Sequence, residues 1–456
     1  MSKQKKSYEM NMCEGPLLGK MLIFTIPLMF SGILQLLFNA ADTIVVGRFA
    51  GSEALAAVGS TGSLTNLLIN MFMGLSVGAN IMISTYYGAK KEEDIVETVH
   101  TSITVAFFAG IVLAILGNIF AKPLLLWMGS PKNVVDLAAL YMKIYFAGMP
   151  AFLIYNYGSS ILRAIGDTKR PLYYLTIAGV INVLFNLLFV IKLHMSVAGV
   201  ALATVISQCV SAVLLLNCMC HMEGSCRLDL KKLGMNKKKA GLLVRYGLPA
   251  GLQGSVFSFS NVIIQSTINS FGALAMAGSS VAANIEGFAY TATNAFAQTS
   301  LCFTSQNLGG GKYERINKVY RNTLLLVIVI GIALGGGAYL FGEELMSIYT
   351  SDPAVISYGL VRMRYVCLFN ILCGLMDAVV GMLRGMGYAM LPMIVSVIGA
   401  CGFRLVWIGT VFAIRPTFHV LFASYPISWI LTGGTHMICY HLIWKKMRKR
   451  LENHTN

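Results

Sequence analysis

The sequence predicts an all-α polytopic membrane protein with twelve transmembrane helices in two six-helix bundles. Three observations support this prediction. Hydrophobic residues make up 56% of the 456 residues and charged residues make up 12%, with a mean hydropathy of +0.69. Apolar windows of about 20 residues, the length that crosses a bilayer core as a helix, recur between short polar connections from Met21 to Trp444. The motif L-R-x-x-G-x-x-x-x-P occurs twice, which indicates an internal duplication.

The duplicated motif starts at Leu162 and again at Leu383, so its two copies are 221 positions apart. Pro27 and Pro249 form another pair, 222 positions apart, and we interpret them as hinge positions in the first and seventh helices. Each half holds six predicted spans. Because six is an even number, both copies enter the membrane from the same side, which predicts a parallel internal repeat with its axis along the bilayer normal.

The polar connections divide the chain into five predicted segments. They are a cytoplasmic N-terminal segment (1–20), an N-terminal six-helix bundle (21–220), a basic cytoplasmic linker (221–240), a C-terminal six-helix bundle (241–444) and a basic cytoplasmic tail (445–456). The first apolar segment has no small-residue cleavage pattern, so we interpret it as the first spanning helix rather than a removable signal.

The net charge of +16 is explained by membrane topology rather than by nucleic acid binding. With both termini inside, the predicted inner segments carry most of the 35 Lys and Arg residues, and the outer loops carry five: Arg48, Lys122, Lys132, Lys192 and Arg415. This asymmetry follows the positive-inside rule. It predicts a multi-pass protein of the plasma (inner) membrane with cytoplasmic N- and C-termini, whose basic segments contact anionic lipid headgroups.

Ionisable residues within spanning helices cost about 2.5 to 3.5 kcal/mol on insertion scales, so each is a candidate functional residue. Asp42 is the strongest candidate, because it shares one face of the first helix with Asn39. Asn182 and Asn186 of the fifth helix and Thr204 of the sixth are predicted at a similar depth. The carboxylate of this predicted ion-coupling site either binds a small hard cation such as Na⁺ or carries a proton. A structural hydrogen-bonding role for Asp42 is the alternative.

The second half carries a second candidate polar site. Asn261 and Gln265 share a face of the seventh helix, which has no acid there. Glu286, on the eighth helix, is interpreted as a second coupling residue, as a carboxylate for a cationic substrate, or as the ion-pair partner of Arg404 on the eleventh. Asp377 lies near the inner end of the tenth helix, where a structural role is at least as compatible with the sequence.

The sequence favours neither catalysis nor a bound cofactor. It contains no H-E-x-x-H metal motif and no G-x-S-x-G nucleophile motif. The triple glycine at Gly309 lacks the rest of a phosphate-binding loop, and its counterpart near Gly88 marks it as a repeated inner turn. The ten cysteines lie mostly in apolar segments, where a thiol behaves as a small hydrophobe. We therefore expect a protein that is not an enzyme and has no cofactor or structural metal.

The six-plus-six arrangement, Pro27 followed by Asp42 in the first helix, and LRAIGDTKRP with its second copy resemble the MATE family, the multidrug and toxic compound extrusion transporters. The resemblance covers nearly the full length and implies that Asp42 takes part in proton or sodium coupling. Family members often carry N-x-x-x-D in the fifth helix. Asn182 matches its first position, but Asn186 stands where the acid would be, and Thr204 aligns approximately with a hydroxyl of the sixth helix.

The resemblance further implies a secondary antiporter that exports amphipathic, often cationic, organic compounds in exchange for protons or sodium ions by alternating access. Its expected partners are a small organic substrate and membrane lipids but not nucleic acid, and it is expected to act as a monomer. The alternative function is a flippase for a lipid-linked precursor, which needs a strongly cationic cavity for pyrophosphate. The predicted intramembrane cations are few, which counts against that alternative.

Overall fold

A computed structural model describes residues 8–127 and 132–455, and these residues form helices and no strand. Twelve long helical segments run through the described chain. They are α1 (Leu17–Phe49), α2 (Ser52–Gly88), α3 (Glu92–Trp127), α4 (Lys132–Ala147 and Met149–Ala164), α5 (Lys169–Asn186 with a π-helical turn, Leu187–Lys192), α6 (Ser196–His221), α7 (Lys237–Asn269), α8 (Ala273–Gly309), α9 (Tyr313–Gly331, Ile332–Gly336 and Gly337–Leu340), α10 (Pro353–Val366 and Asn370–Gly385), α11 (Met390–Ser396, Val397–Gly402, Phe403–Trp407 and Ile408–Phe412) and α12 (Phe418–Thr455).

Length and hydropathy agree with membrane spans. Within the described chain, nine of these segments are long and apolar enough to cross a membrane when the bent α4 and α10 each count as one span. The other three, α7, α8 and α12, have 33, 37 and 38 residues, which exceeds the length that a bilayer core requires. Their polar residues are tolerated where a helix packs against protein or lines water rather than lipid. The prediction of an all-helical membrane protein with twelve spans is confirmed.

The internal repeat is visible in the backbone. Gly166 and Gly387, in the two copies of the duplicated motif, have φ angles of +93° and +87°. Gly51 and Gly272, also 221 positions apart, have φ angles of +88° and +91°. A left-handed φ favours glycine because a Cβ would be strained there. The helices α4 and α10 also bend at equivalent breaks, by 49° and 43°. The predicted parallel repeat of two six-helix halves is thus confirmed.

The described residues pack into two compact units. Unit 1 contains residues 8–11 and Phe30–Gly251, and unit 2 contains Met12–Met29 and residues 252–455. The N-terminal part of α1 therefore belongs to unit 2, and the N-terminal part of α7 belongs to unit 1. In both helices the change of unit follows a proline by two residues, Pro27 in α1 and Pro249 in α7. Their hinge role and the bundle boundaries drawn from the sequence stay predictions.

In unit 1, α2 and α7 cross at a close backbone contact that requires glycine. A Cβ at Gly74 would lie 2.1 Å from the backbone nitrogen of Gly251, and a Cβ at Gly251 would lie 2.4 Å from the carbonyl oxygen of Met71. Small residues let membrane helices approach to backbone contact, where van der Waals packing holds them together. This crossing attaches the N-terminal part of α7 to unit 1.

The duplicated motif is a helix boundary. In its first copy Asp167 accepts hydrogen bonds from the backbone nitrogens of Lys169 and Arg170, at 3.2 and 3.1 Å, and so satisfies free N–H groups at the start of α5. The backbone nitrogen of Met10 donates to the carbonyl of Ile165 at 3.0 Å. The motif thus ends α4, starts α5 and holds the N-terminal segment.

Candidate functional site

Four of the five residues predicted for ion coupling meet inside unit 1. Nδ2 of Asn186 donates hydrogen bonds to Oδ1 of Asp42 and, at 3.2 Å, to Oδ1 of Asn182. Nδ2 of Asn182 donates in turn to Oγ1 of Thr204 at 3.3 Å. The sequence placed these side chains at similar depth, and the structure joins three helices, α1, α5 and α6, through one chain of hydrogen bonds. We call these four residues the Asp42 chain.

The hydrogen bonds of the Asp42 chain fix which groups donate and which accept, and one acceptor is left without a donor. Oγ1 of Thr204 donates to the carbonyl of Val200 at 2.9 Å, so it is free to accept from Asn182. The amide nitrogen of Asn186 already donates two hydrogen bonds. Its oxygen, Oδ1, is buried and has no hydrogen-bond partner in the described part of the chain. A buried unsatisfied acceptor costs about 1–3 kcal/mol, and beside a carboxylate it is suited to receive a proton donor or a cation.

Asn39 does not join this chain. Its side chain is exposed, whereas Asp42 is partly buried and Asn186 is fully buried. The backbone carbonyl of Asn39 accepts a hydrogen bond from Oγ1 of Thr43 at 3.0 Å. Residues three apart on a helix differ in direction by about 60°, which turns Asn39 away while Asp42 contacts α5.

A glycine sets the contact between α1 and α5. Gly179 lies one helical turn before Asn182 on α5, and Phe38 lies one turn before Asp42 on α1. A Cβ at Gly179 would lie 1.8 Å from Cε2 of Phe38, so the phenyl ring occupies the space of the missing side chain. This contact brings Asp42 within hydrogen-bonding distance of Asn186.

Three further polar residues, two tyrosines near Asp42 and a glutamine beside one of them, were not predicted from the sequence. Tyr141 and Tyr145, one turn apart on α4, stack with ring centroids 6.0 Å apart, and both lie in the electrostatic environment of Asp42. Gln208, which lies one turn after Thr204 on α6, is a polar neighbour of Tyr145. The i, i+4 spacing of both pairs was the available signal. It was obscured because tyrosines are common in apolar helices.

In unit 2, Glu286 pairs with Arg362. Nη2 and Nε of Arg362 donate to Oε2 of Glu286 at 2.8 and 3.0 Å, and Nη1 donates to Oγ of Ser279 at 2.8 Å. Of the three interpretations of Glu286, the one that makes Arg404 its ion-pair partner is therefore wrong. The physical reason is packing: the first segment of α10, which carries Arg362, lies along α8, so this guanidinium reaches the carboxylate.

Other members of the second candidate site are dispersed. Nδ2 of Asn294 donates to Oδ2 of Asp377 at 3.4 Å. Asn261 is exposed, and Nε2 of Gln265 donates to Oδ1 of Asn269 at 2.9 Å. Among residues 8–127 and 132–455, no hydrogen bond joins the α7 amides to Glu286 or Asp377. The seventh-helix amides therefore do not combine with these acids as the Asp42 chain does.

Arg404 lies in a different environment from Arg362. It is buried, its Nε donates to Oγ of Ser428 at 3.0 Å, and its guanidinium carbon lies 4.0 Å from the ring centroid of Tyr425. The guanidinium carbon also lies 5.7 Å from the ring centroid of Trp429, so the partners of Arg404 are a hydroxyl and two aromatic rings.

The twelve-span repeat and the intramembrane polar chain define a polytopic helical transporter. The chain belongs to the MatE family, whose model matches residues 27–188 and 249–408. The two matches begin 222 positions apart, so the model recognises each half of the repeat separately. Members of this family are transporters and not enzymes, which confirms the class predicted from the sequence.

Similar proteins extend over most of the chain. A probable multidrug resistance protein of Bacillus subtilis, YoeA, is 28% identical over 93% of this chain and 94% of its own length. A probable multidrug resistance protein of Thermotoga maritima, NorM, is 25% identical over 86% and 85%. A protein of Shewanella oneidensis named FAD transporter is 25% identical over 72% and 73%.

Solved structures share the fold. A crystal structure of MATE in complex with MaL6 superposes with a TM-score of 0.91 at 20% identity, over 98% of this chain and 100% of that one. An outward-facing conformation of a multidrug resistance MATE family transporter gives a TM-score of 0.89 at 20% identity, with the same coverage.

Proposed function

We propose that this protein is a secondary active antiporter that exports amphipathic organic compounds in exchange for protons or sodium ions by alternating access. The observation that carries the proposal is the Asp42 chain, which places a carboxylate and an unsatisfied amide oxygen together within spanning helices. An intramembrane acid is costly and is characteristic of ion pathways in transporters. The relatives named for multidrug resistance support the export of organic compounds.

Proton coupling would use the amide of Asn186. As a carboxylate, Asp42 accepts a hydrogen bond from the amide nitrogen. As a carboxylic acid it has an O–H that needs an acceptor, and Oδ1 of Asn186 is a buried acceptor without a partner in the described chain. A half-turn of the amide presents this oxygen to Asp42 and withdraws the nitrogen from Asn182. Proton binding then changes the contacts between α1, α5 and α6, and a ligand shifts a conformational equilibrium only through such differential contacts.

Sodium coupling uses the same oxygens. The described residues contain no group of three or more His, Cys, Asp and Glu residues suited to a metal ion. A sodium ion at Asp42 would therefore depend on the carboxylate together with the amide oxygen of Asn186 and further neutral oxygens. Hard cations favour oxygen ligands of this kind.

The remaining features of the proposal concern location and assembly. We place the protein in the plasma (inner) membrane with both termini in the cytoplasm, because the basic linker and tail fall on the predicted inner side. All residues of the Asp42 chain come from a single chain, which supports function as a monomer.

The test is efflux from proteoliposomes under an imposed proton or sodium gradient, with a fluorescent organic cation and a fluorescent organic acid as separate substrates. The variant Asp42→Asn keeps the shape of the side chain and removes its charge. Asp136→Asn is the matched control, because Asp136 is exposed and pairs with the exposed Lys122. We expect one gradient to drive efflux in wild type and in the control, and Asp42→Asn to abolish that dependence.

Undiminished gradient-driven efflux by a folded Asp42→Asn protein would show that Asp42 does not couple transport. If neither gradient moved either substrate through wild-type protein, the antiport proposal would be rejected. Flipping of a labelled lipid-linked sugar would then support the flippase alternative.

A further inference from the structure

Arg404 is a buried cation without an anion. The residue is 4% exposed, and no carboxylate oxygen of the described residues lies within salt-bridge distance of it. Its Nε donates to Oγ of Ser428, but its two terminal nitrogens have no acceptor among residues 8–127 and 132–455. Burying an unpaired charge is strongly unfavourable, and the rings of Tyr425 and Trp429 offset only part of that cost.

Two partly buried arginines of the unit 2 spans, Arg362 and Arg384, have acids beside them. Arg362 donates two hydrogen bonds to Glu286. Arg384 interacts electrostatically with Asp377, and its Nη2 donates to Oε1 of Gln253 at 2.8 Å. Glu286 and Asp377 thus lie beside Arg362 and Arg384, and the charge of Arg404 has no acid beside it.

The guanidinium of Arg404 is held in a fixed orientation. Oγ of Ser428 donates to the carbonyl of Tyr425 at 2.8 Å and accepts from Nε of Arg404. With Nε held, the guanidinium carbon lies 4.0 Å from the ring centroid of Tyr425 and 5.7 Å from that of Trp429, and the edge formed by Nη1 and Nη2 has no acceptor in the described chain. Two parallel N–H groups match the two oxygens of a carboxylate or phosphate.

The backbone around Arg404 is irregular. Arg404 lies in a five-residue helical segment, Phe403–Trp407, between two π-helical turns, Val397–Gly402 and Ile408–Phe412. Single π-helical turns within helices are frequent at functional sites.

We propose that Arg404 binds the carboxylate or phosphate group of an amphipathic substrate, so that the transported compounds include organic anions or zwitterions. This assignment rests on the proposed export function and defines its substrate class. Glu286 is neutralised by Arg362 and therefore offers less to a cationic substrate, while Arg404 offers a preorganised cation to an anionic group.

The first test uses wild-type protein in lipid nanodiscs and matched dye pairs that differ in one anionic group. Rhodamine 110 has a free carboxylate and rhodamine 123 is its methyl ester, while flavin mononucleotide carries a phosphate that riboflavin lacks. We expect at least tenfold tighter binding of the anionic member of one pair or both, and the pair that responds identifies carboxylate or phosphate. Equal binding within both pairs would overturn the proposal.

The second test compares Arg404→Gln, Arg404→Lys and Ser428→Ala with wild type. Arg404→Gln should remove the preference for the anionic dye and leave the affinity for its partner within twofold, whereas Arg404→Lys should retain part of it. Ser428→Ala should weaken the preference by releasing Nε, and it provides the test if Arg404→Gln fails to fold. Arg364→Gln is the matched control, because Arg364 is an exposed arginine of the same unit, and should behave as wild type.

An unchanged preference in a folded Arg404→Gln protein, or an equal loss of affinity for both members of a pair, would assign Arg404 a structural role and overturn the proposal. The binding measurement needs no gradient. Anion-selective binding without gradient-driven efflux would therefore reject antiport alone, and efflux without anion selectivity would reject only the role of Arg404.

Discussion

Gly179→Ala tests whether the α1–α5 contact sets the geometry of the Asp42 chain. The new methyl group would lie 1.8 to 2.3 Å from three ring atoms of Phe38. Ordinary carbon contacts are about 3.5–4.0 Å, so the ring and the helix that carries it must move by about 2 Å. Since Asp42 lies one turn further along α1, a shift of that size separates it from Asn186.

The expected effect on stability is small. Overpacking costs about 1–3 kcal/mol, and the higher helix propensity of alanine returns about 0.8–1.0 kcal/mol. The effect on coupling is expected to be larger, because hydrogen bonds to charged groups contribute about 1.5–3 kcal/mol. A factor of ten corresponds to about 1.4 kcal/mol, so gradient-driven efflux should fall at least about tenfold while the thermal midpoint changes by a few degrees.

The assay is initial-rate efflux from proteoliposomes, with thermal unfolding measured on the same preparations. Gly59→Ala is the matched control, because a Cβ at Gly59 meets no atom within 4 Å. The second-site change Phe38→Ala should restore part of the efflux to Gly179→Ala by removing the ring. Wild-type efflux by Gly179→Ala alone, or no recovery in the double variant, would refute this account of the contact.

Two further predictions concern packing and thiol reactivity. Gly251→Ala should greatly reduce the yield of folded protein, because its Cβ would lie 2.4 Å from a backbone oxygen of α2. Gly241→Ala on the same helix should be tolerated, because its Cβ meets no atom within 4 Å. Size-exclusion chromatography after expression measures the yield of folded protein for both variants, and equal yields would contradict the prediction. Burial, with a smaller contribution from Glu9, raises the pKa of the Cys226 thiol to about 12. Because the thiolate is the reactive form, Cys226 should resist maleimide at pH 8 in folded protein and react after unfolding; rapid labelling of native protein, located by peptide mass spectrometry, would contradict the assignment.

Sequence reasoning found the spans, the repeat and the Asp42 chain because each depends on a regular spacing. Apolar windows reveal spanning helices directly. The depths of Asp42, Asn186 and Thr204 follow from counting residues along helices of constant rise. Such counting gives height in the membrane but not the direction that each helix faces, so Asn39 was included although it is exposed.

The ion pair of unit 2 depends on lateral packing, which depth alone does not determine. The sequence allowed Arg404 as the partner of Glu286, yet Arg362 is the residue that reaches the carboxylate. Which helices are neighbours follows from shape complementarity along their full length, including the close contacts at glycine. The breaks within α4 and α10 also redirect their second segments by 49° and 43°, and no local sequence pattern specified those angles.

The assignment of α1 and α7 to the two units has a consequence for dividing the protein. Residues 12–29 belong to unit 2, although they come before nearly all of unit 1 in the sequence. The N-terminal part of α7 belongs to unit 1, although it follows the linker. After a cut in the linker at residues 221–240, the N-terminal fragment would form most of unit 1 but lack the N-terminal part of α7. The C-terminal fragment would form most of unit 2 but lack residues 12–29. Two such fragments would be complementary parts that complete each other only when both are present.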